Sequence, residues 1–133
     1  MAENDGMFLE YAKNPPNKGI LENATVTHFE ENRTCGDSLE VYLVIEDGLL
    51  KDFSFEGKTS IVTTACSAMF GEAVLGERVE DILSMNSADM VEIAGPVSPR
   101  RRAASVLGLL ATRNAIHAFL GDGKNDDFSD VLV

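Results

Sequence analysis

The chain has 133 residues, enough for one domain with a sizeable core and too few for two ordinary ones. Its 44% hydrophobic and 25% charged residues are the composition of a globular protein, not of a disordered one. The net charge of −11 argues against wrapping nucleic acid or docking on an anionic membrane, since both need cationic surface.

In chain order, residues 5–13 (DGMFLEYAK) predict a short amphipathic helix with Met7, Phe8 and Tyr11 on one side. Asn14-Pro15-Pro16-Asn17 ends it, because a residue before proline is pushed out of the helical region. A first strand is predicted over about 20–29, centred on Thr25, Val26 and Thr27. Asn32 to Asp37 is a polar loop containing Cys35-Gly36-Asp37. The next strand, 38–46, alternates: Leu39, Val41, Leu43 and Ile45 share one face. Asp47-Gly48 signals a hairpin, and the return strand 49–56 points Phe53 and Phe55 inward.

From Gly57 the period becomes helical. Ser60 is the expected N-cap of a helix running to Gly76, with Ile61, Ala65, Ala68, Met69 and Ala73 as its apolar stripe. Shorter helices are predicted at 77–84 and 87–94. Gly95-Pro96 and Pro99 mark a loop, and a long helix spans about Arg100–Leu120. Residues 1–6 and 121–133 are expected to be flexible ends of a single domain covering 1–133, although Phe128 and the last three residues could dock. Strands followed by helices predict an α+β fold, a small three-stranded antiparallel sheet packed by helices.

Few residues offer chemistry. His28 and His117 have no carboxylate or cysteine at ligand or triad spacing and are expected to be structural. Two cysteines make neither a disulfide framework nor, alone, a tetrahedral metal site. No apolar stretch approaches the roughly 20 residues that span a bilayer. The acidic start lacks a signal-peptide pattern, which points to a cytoplasmic location with both thiols reduced. Between Val97 and Ala118 stand Arg100, Arg101, Arg102 and Arg113 with no acid. That segment either pairs with the acidic body or docks an acidic partner. A thiol and a carboxylate flanking a glycine, as in Cys35-Gly36-Asp37, can converge on one metal or on a partner's sulfur.

Several motifs stand in order: Asn14-Pro15, Asn17, Gly19, then Cys35-Gly36-Asp37, then Phe55-Glu56-Gly57 just before the helix, and ASVLG at 104–108. In these the chain closely resembles the U-type iron–sulfur cluster scaffold family (IscU, SufU and the N-terminal domain of NifU). The resemblance covers about residues 7–120 and implies an IscU/NifU-like fold with the metal site at one end of the sheet. It implies a non-enzymatic role in iron–sulfur cluster assembly. Iron or another metal would bind, or sulfur would be accepted, at Cys35 and Asp37, with Ser60 beside them. The implied cargo is an iron–sulfur cluster or zinc, held weakly. The implied partner is a cysteine desulfurase or another assembly protein, and two Cys35 loops in a homodimer could bridge a cluster. The alternative is a degenerate relative that docks such a partner without carrying a cluster.

The departures bear on that choice. The family's second cysteine falls on Ser60, its third on Ala104 and the neighbouring histidine on Ala103, while Cys66 occupies a position the family fills with serine. Soft thiolates hold cluster irons, and one Cys, one Asp and one Ser make a poor set.

Overall fold

A computed structural model describes residues 1–133. Helix α1 (Gly6–Lys13) opens at Asp5, whose side chain accepts the Met7 amide at 2.8 Å. Strands β1 (Val26–Asn32), β2 (Asp37–Glu46) and β3 (Leu49–Lys58) form an antiparallel sheet in that order. The inward set is as predicted, with Leu39, Val41, Leu43, Phe53 and Phe55 buried and Glu46 and Asp52 exposed. Val44 and Ser54, on the opposite face, are buried as well, Ser54 under the Asn17–Gly19 segment, whose Gly19 carbonyl accepts its hydroxyl at 2.7 Å. Asp47 and Gly48 both take positive φ, 55° and 75°, as the tight hairpin turn requires.

The first strand starts later than the sequence suggests. Asn17 to Gly19 lies along the free edge of β3: the Gly19 amide donates to the Phe55 carbonyl (2.8 Å) and the Phe55 amide to the Asn17 carbonyl (3.1 Å). The chain must then cross to the opposite edge of the sheet, and it reaches β2 only where the Thr25 amide donates to the Leu43 carbonyl at 2.7 Å.

Helices α2 (Ile61–Ala73), α3 (Val79–Leu83), α4 (Ser87–Ala94), α5 (Arg102–Leu120) and α6 (Phe128–Val131) follow, α5 being led in by a 3-10 turn at Pro99–Arg101. The predicted stripe on α2 is only part of its buried surface: Ala65 and Ala68 are fully buried and Met69 packs against the core, but its two end members are not buried. Ile61 is 58% exposed and Ala73 is exposed, while every residue from Val62 to Ala68 is buried. The reason is its position: α2 is packed by α1, α4, α5 and β3 together, so it is enclosed on most sides. Small residues permit that. A Cβ on Gly108 of α5 would lie 2.6 Å from the Ser67 hydroxyl, so the two helices touch there backbone to side chain.

Pro99–Leu120 departs from the expectation that no segment is long and apolar enough to span a bilayer, with a mean hydropathy of 1.3 in its best window. Of that window 67% is buried inside the fold, where α5 covers β1, β2 and α2 as the central core helix.

Both terminal segments make specific contacts with the rest of the fold. The Ala2 amide donates to the Pro96 carbonyl (2.8 Å) and the Ser98 amide to Glu3 Oε1 (3.1 Å). At the other end, Asp126 meets Arg113 Nε and His117 Nε2, both at 2.9 Å, and Val131 is fully buried. Charge pairing that composition does not reveal therefore anchors the tail. His117 is structural, 6% exposed between Asp122 and Asp126, and His28 pairs with Glu30 at 3.1 Å.

Candidate functional site

The connection from β1 to β2 is a tight polar turn. Asn32, itself buried, accepts the Thr34 amide on its side chain (3.2 Å) and the Gly36 amide on its carbonyl (2.9 Å). Gly36 has φ +79°, a conformation that glycine adopts without strain. This turn leaves Cys35 exposed and delivers Asp37, buried, as the first residue of β2.

Across the sheet, Gly57 brings β3 against the same end of β2. Its φ is +155°, and a Cβ there would overlap the Ser38 carbonyl and sit 2.6 Å from Leu39 Cα. The strand then turns into α2 at Ser60, whose backbone is extended as an N-cap requires.

These two junctions meet on one carboxylate. Asp37 Oδ1 accepts the Ser60 amide at 2.8 Å, while Oδ2 accepts the Thr63 hydroxyl at 2.6 Å, the Ser60 hydroxyl at 3.0 Å and the Cys35 thiol at 3.2 Å. The structure thus brings together Cys35, Asp37 and Ser60, the three residues singled out from the sequence. It adds Thr63, which sequence reasoning missed. The available signal was positional: Thr63 is the third residue of a helix capped by Ser60, one turn along, where a short hydroxyl side chain reaches back to whatever the cap holds.

Burial pushes the Asp37 carboxyl up, but hydrogen bonds from Thr63, Cys35 and Ser60 outweigh it and hold the group below its ordinary 3.8. Burial, with the neighbouring Asp37 charge and side-chain hydrogen bond, raises the Cys35 thiol above 9.0. Cys66, 1% exposed, is pushed up to about 12 by burial and belongs to the core, as its place in the helix predicts.

Beside the site lies an open cleft of ≈ 540 Å³, lined by Ser60 and Ile61 at the start of α2 and by Arg100 and Arg101 ahead of α5. Neither arginine is ion-paired; the chain's arginine ion pairs are made by Arg33, Arg78 and Arg113. Of the basic segment, Arg113 is therefore spent on an acid of the same chain, Asp126, while Arg100 and Arg101 are not.

Fold and site together define a class: a small α+β domain that presents one exposed thiol beside a buried, hydroxyl-bound carboxylate at a strand–helix junction. The chain belongs to the NifU-like N-terminal domain family, whose model matches residues 3–126. It is 40% identical over 78 residues to the iron-sulfur cluster assembly scaffold protein IscU of Thermotoga maritima, covering 59% of this chain and 55% of that protein. To the zinc-dependent sulfurtransferase SufU of Bacillus subtilis it is 31% identical over 88 residues, 65% of this chain and 59% of that protein. The chain thus matches little more than half the length of either relative. A match to the IscU 1 scaffold protein of Archaeoglobus fulgidus is longer, 27% identical with 92% and 81% covered. The fold is also that of the crystal structure of a NifU-like protein N-terminal region from Brucella abortus (TM-score 0.74, 20% identity, 92% of this chain and 97% of that one).

Proposed function

We propose that this chain works in iron–sulfur cluster assembly as a scaffold-type module that takes up sulfur at Cys35 from a cysteine desulfurase. The observation that carries this reading is the Cys35 thiol itself, exposed at the end of the sheet and held 3.2 Å from Asp37 in a family whose relatives are named as cluster scaffolds and as a sulfurtransferase. The reaction needs a reduced thiol, which the cytoplasm supplies.

The chemistry asks little of the protein beyond presentation. A sulfur atom bound to the donor's cysteine is attacked by Cys35 Sγ; the new S–S bond forms as the donor's breaks, and the donor leaves as a thiol carrying the proton that Cys35 gave up. Nothing is oxidised or reduced overall. Only the thiolate attacks, so the raised thiol keeps Cys35 quiet at neutral pH until a partner is docked. Asp37 fixes the direction of the S–H bond.

Incubation with a cysteine desulfurase and cysteine, followed by mass spectrometry under non-reducing conditions, tests the reading. Cys35 is expected to gain the mass of a sulfur atom, Cys35→Ala to gain none and Cys66→Ala to behave as the parent. Sulfur on Cys66 alone, or none on either thiol, rejects it.

A second reading, docking of an assembly protein without cargo, is favoured by the unpaired Arg100 and Arg101 beside Ser60. It is supported instead if the parent binds a desulfurase, loses that binding in an Arg100→Glu/Arg101→Glu variant and never acquires sulfur.

A further inference from the structure

Asp37 stands at the position from which the family resemblance implies a metal ligand. Its Oδ2 lone pairs are already committed. Each carboxylate oxygen offers about two acceptor sites. Three donors crowd Oδ2, the Ser60 and Thr63 hydroxyls and the Cys35 thiol, while the Ser60 amide takes one site on Oδ1. The side chain is buried, and so is Thr63, so no cation reaches Oδ2 without breaking the shortest of these bonds and turning Thr63 away. The remaining donors do not make up the loss. Cys66 lies in the core, Ala104 presents only a methyl group, and nowhere in the fold are three His, Cys, Asp or Glu side chains placed to hold a metal ion together. Zinc asks for four ligands, or three and a water, and cluster iron for thiolates. One thiol and one carboxylate whose Oδ2 is held by two hydroxyls do not fit either.

From this disagreement we infer that Asp37 is a brace and not a metal ligand in this chain, that Thr63 together with Ser60 closes the site to zinc and iron, and that Cys35 takes up sulfur with no metal present. The sulfur half of the inference rests on the function proposed above; the brace stands on the geometry alone. Asp37 joins the first residue of β2 to the first turn of α2, two elements that share no main-chain ladder, and the hydroxyls do for it what a cation does elsewhere: they neutralise buried negative charge by hydrogen bonding.

The experiment uses the full chain in two arms. In the first, the protein is incubated with zinc chloride, passed through a desalting column and analysed for metal. The parent is expected to retain no more zinc than Cys35→Ala. In the second, sulfur loading of Cys35 by a cysteine desulfurase and cysteine is followed with EDTA present and with zinc present, and equal loading is expected. Asp37→Asn should lower the melting midpoint relative to the parent. Thr63→Val, which keeps the carboxylate, should show the same pattern and serves if the Asn variant does not fold. Stoichiometric zinc in the parent that is lost in Asp37→Asn overturns the brace, and loading that EDTA abolishes overturns metal-free uptake. A parent that gains sulfur under neither condition removes the functional reading and the sulfur half with it, while the zinc arm still decides the brace.

Discussion

The Thr63 hydroxyl donates to Asp37 Oδ2 across 2.6 Å, linking the start of β2 to the first turn of α2 between two buried side chains. Hydrogen bonds to charged groups are worth more than neutral ones, and a buried acceptor left short of a donor adds its desolvation cost. Thr63→Val keeps the shape and removes the donor, so it should cost about 1–3 kcal/mol. Chemical denaturation of parent and variant, read as a change in midpoint at constant slope, checks this.

The same carboxylate makes a pH prediction whose sign is fixed. Asp37 titrates below its ordinary 3.8 in the folded chain, so the unfolded chain binds its proton first as pH falls. Its contribution to stability is therefore complete above the ordinary value and is lost as pH drops through the lower folded one. The stability gap between the parent and Asp37→Asn should be constant near neutrality and narrow below about pH 4. A gap that widens on acidification contradicts the assignment.

Two thiols in very different settings should label at different rates. Cys35 is exposed in its turn, whereas Cys66 is 1% exposed midway along α2. A maleimide should modify Cys35 in the native protein and Cys66 only on unfolding, so that the Cys66 rate reports opening of the core. Because the Cys35 thiol is raised, its rate should keep climbing through and beyond pH 9.0, and Asp37→Asn should speed it by removing a like charge. Equal native labelling of both residues refutes the picture.

Much of this architecture is legible in the sequence because local rules and tertiary needs agree. The alternation of Leu39, Val41 and Leu43, the Asp47-Gly48 turn and the Ser60 cap each specify a local geometry that the packed fold keeps. What escapes is set by partners distant in sequence. The stripe on α2 could be read only in part, since a helix packed from several sides has little polar face to give it a period. The late start of β1 depends on Asn17 to Gly19 pairing with β3, some 35 residues further on in the chain. Thr63 looked like a helix-interior residue until folding placed Asp37 beside it. Docking of the C-terminal segment hangs on Asp126, which in sequence is one of several acids in a polar run.

Where α2 crosses α5, Gly108 and Ser67 are in contact, and the Ser67 hydroxyl is buried without a partner. A methyl group on Gly108 would lie 2.6 Å from that hydroxyl and 3.3 Å from the Ser67 Cα, so Gly108→Ala should destabilise the fold by about 1–3 kcal/mol through overpacking. Ser67→Ala removes an unsatisfied polar atom from the core and should be neutral or stabilising. Ser67→Gly in the Gly108→Ala background should recover part of the loss, so the pair should be non-additive by at least about 0.5 kcal/mol. Additive losses in thermal or denaturant melts mean the two residues do not bear on each other.

The final prediction rebuilds the family's ligand set. Ser60→Cys puts a thiol where the Ser60 hydroxyl now reaches Asp37 Oδ2 at 3.0 Å, and so removes one of the hydroxyl donors that crowd that oxygen. Ala104→Cys adds another at a buried position in the first turns of α5, the helix whose leading arginines share a cleft with Ser60. With Cys35 the double variant has three thiols in the rebuilt set, Cys66 staying in the core, and with Asp37 partly released it has the four-ligand complement that zinc prefers. It should retain zinc through desalting where the parent does not, with the metal absent again once Cys35→Ala is added. Zinc binding should also raise its melting midpoint, since a metal that binds only the folded chain stabilises it by mass action. If Ala104 does not face the site, the added thiols will react with maleimide equally with and without zinc, and the melting midpoint will not respond to the metal.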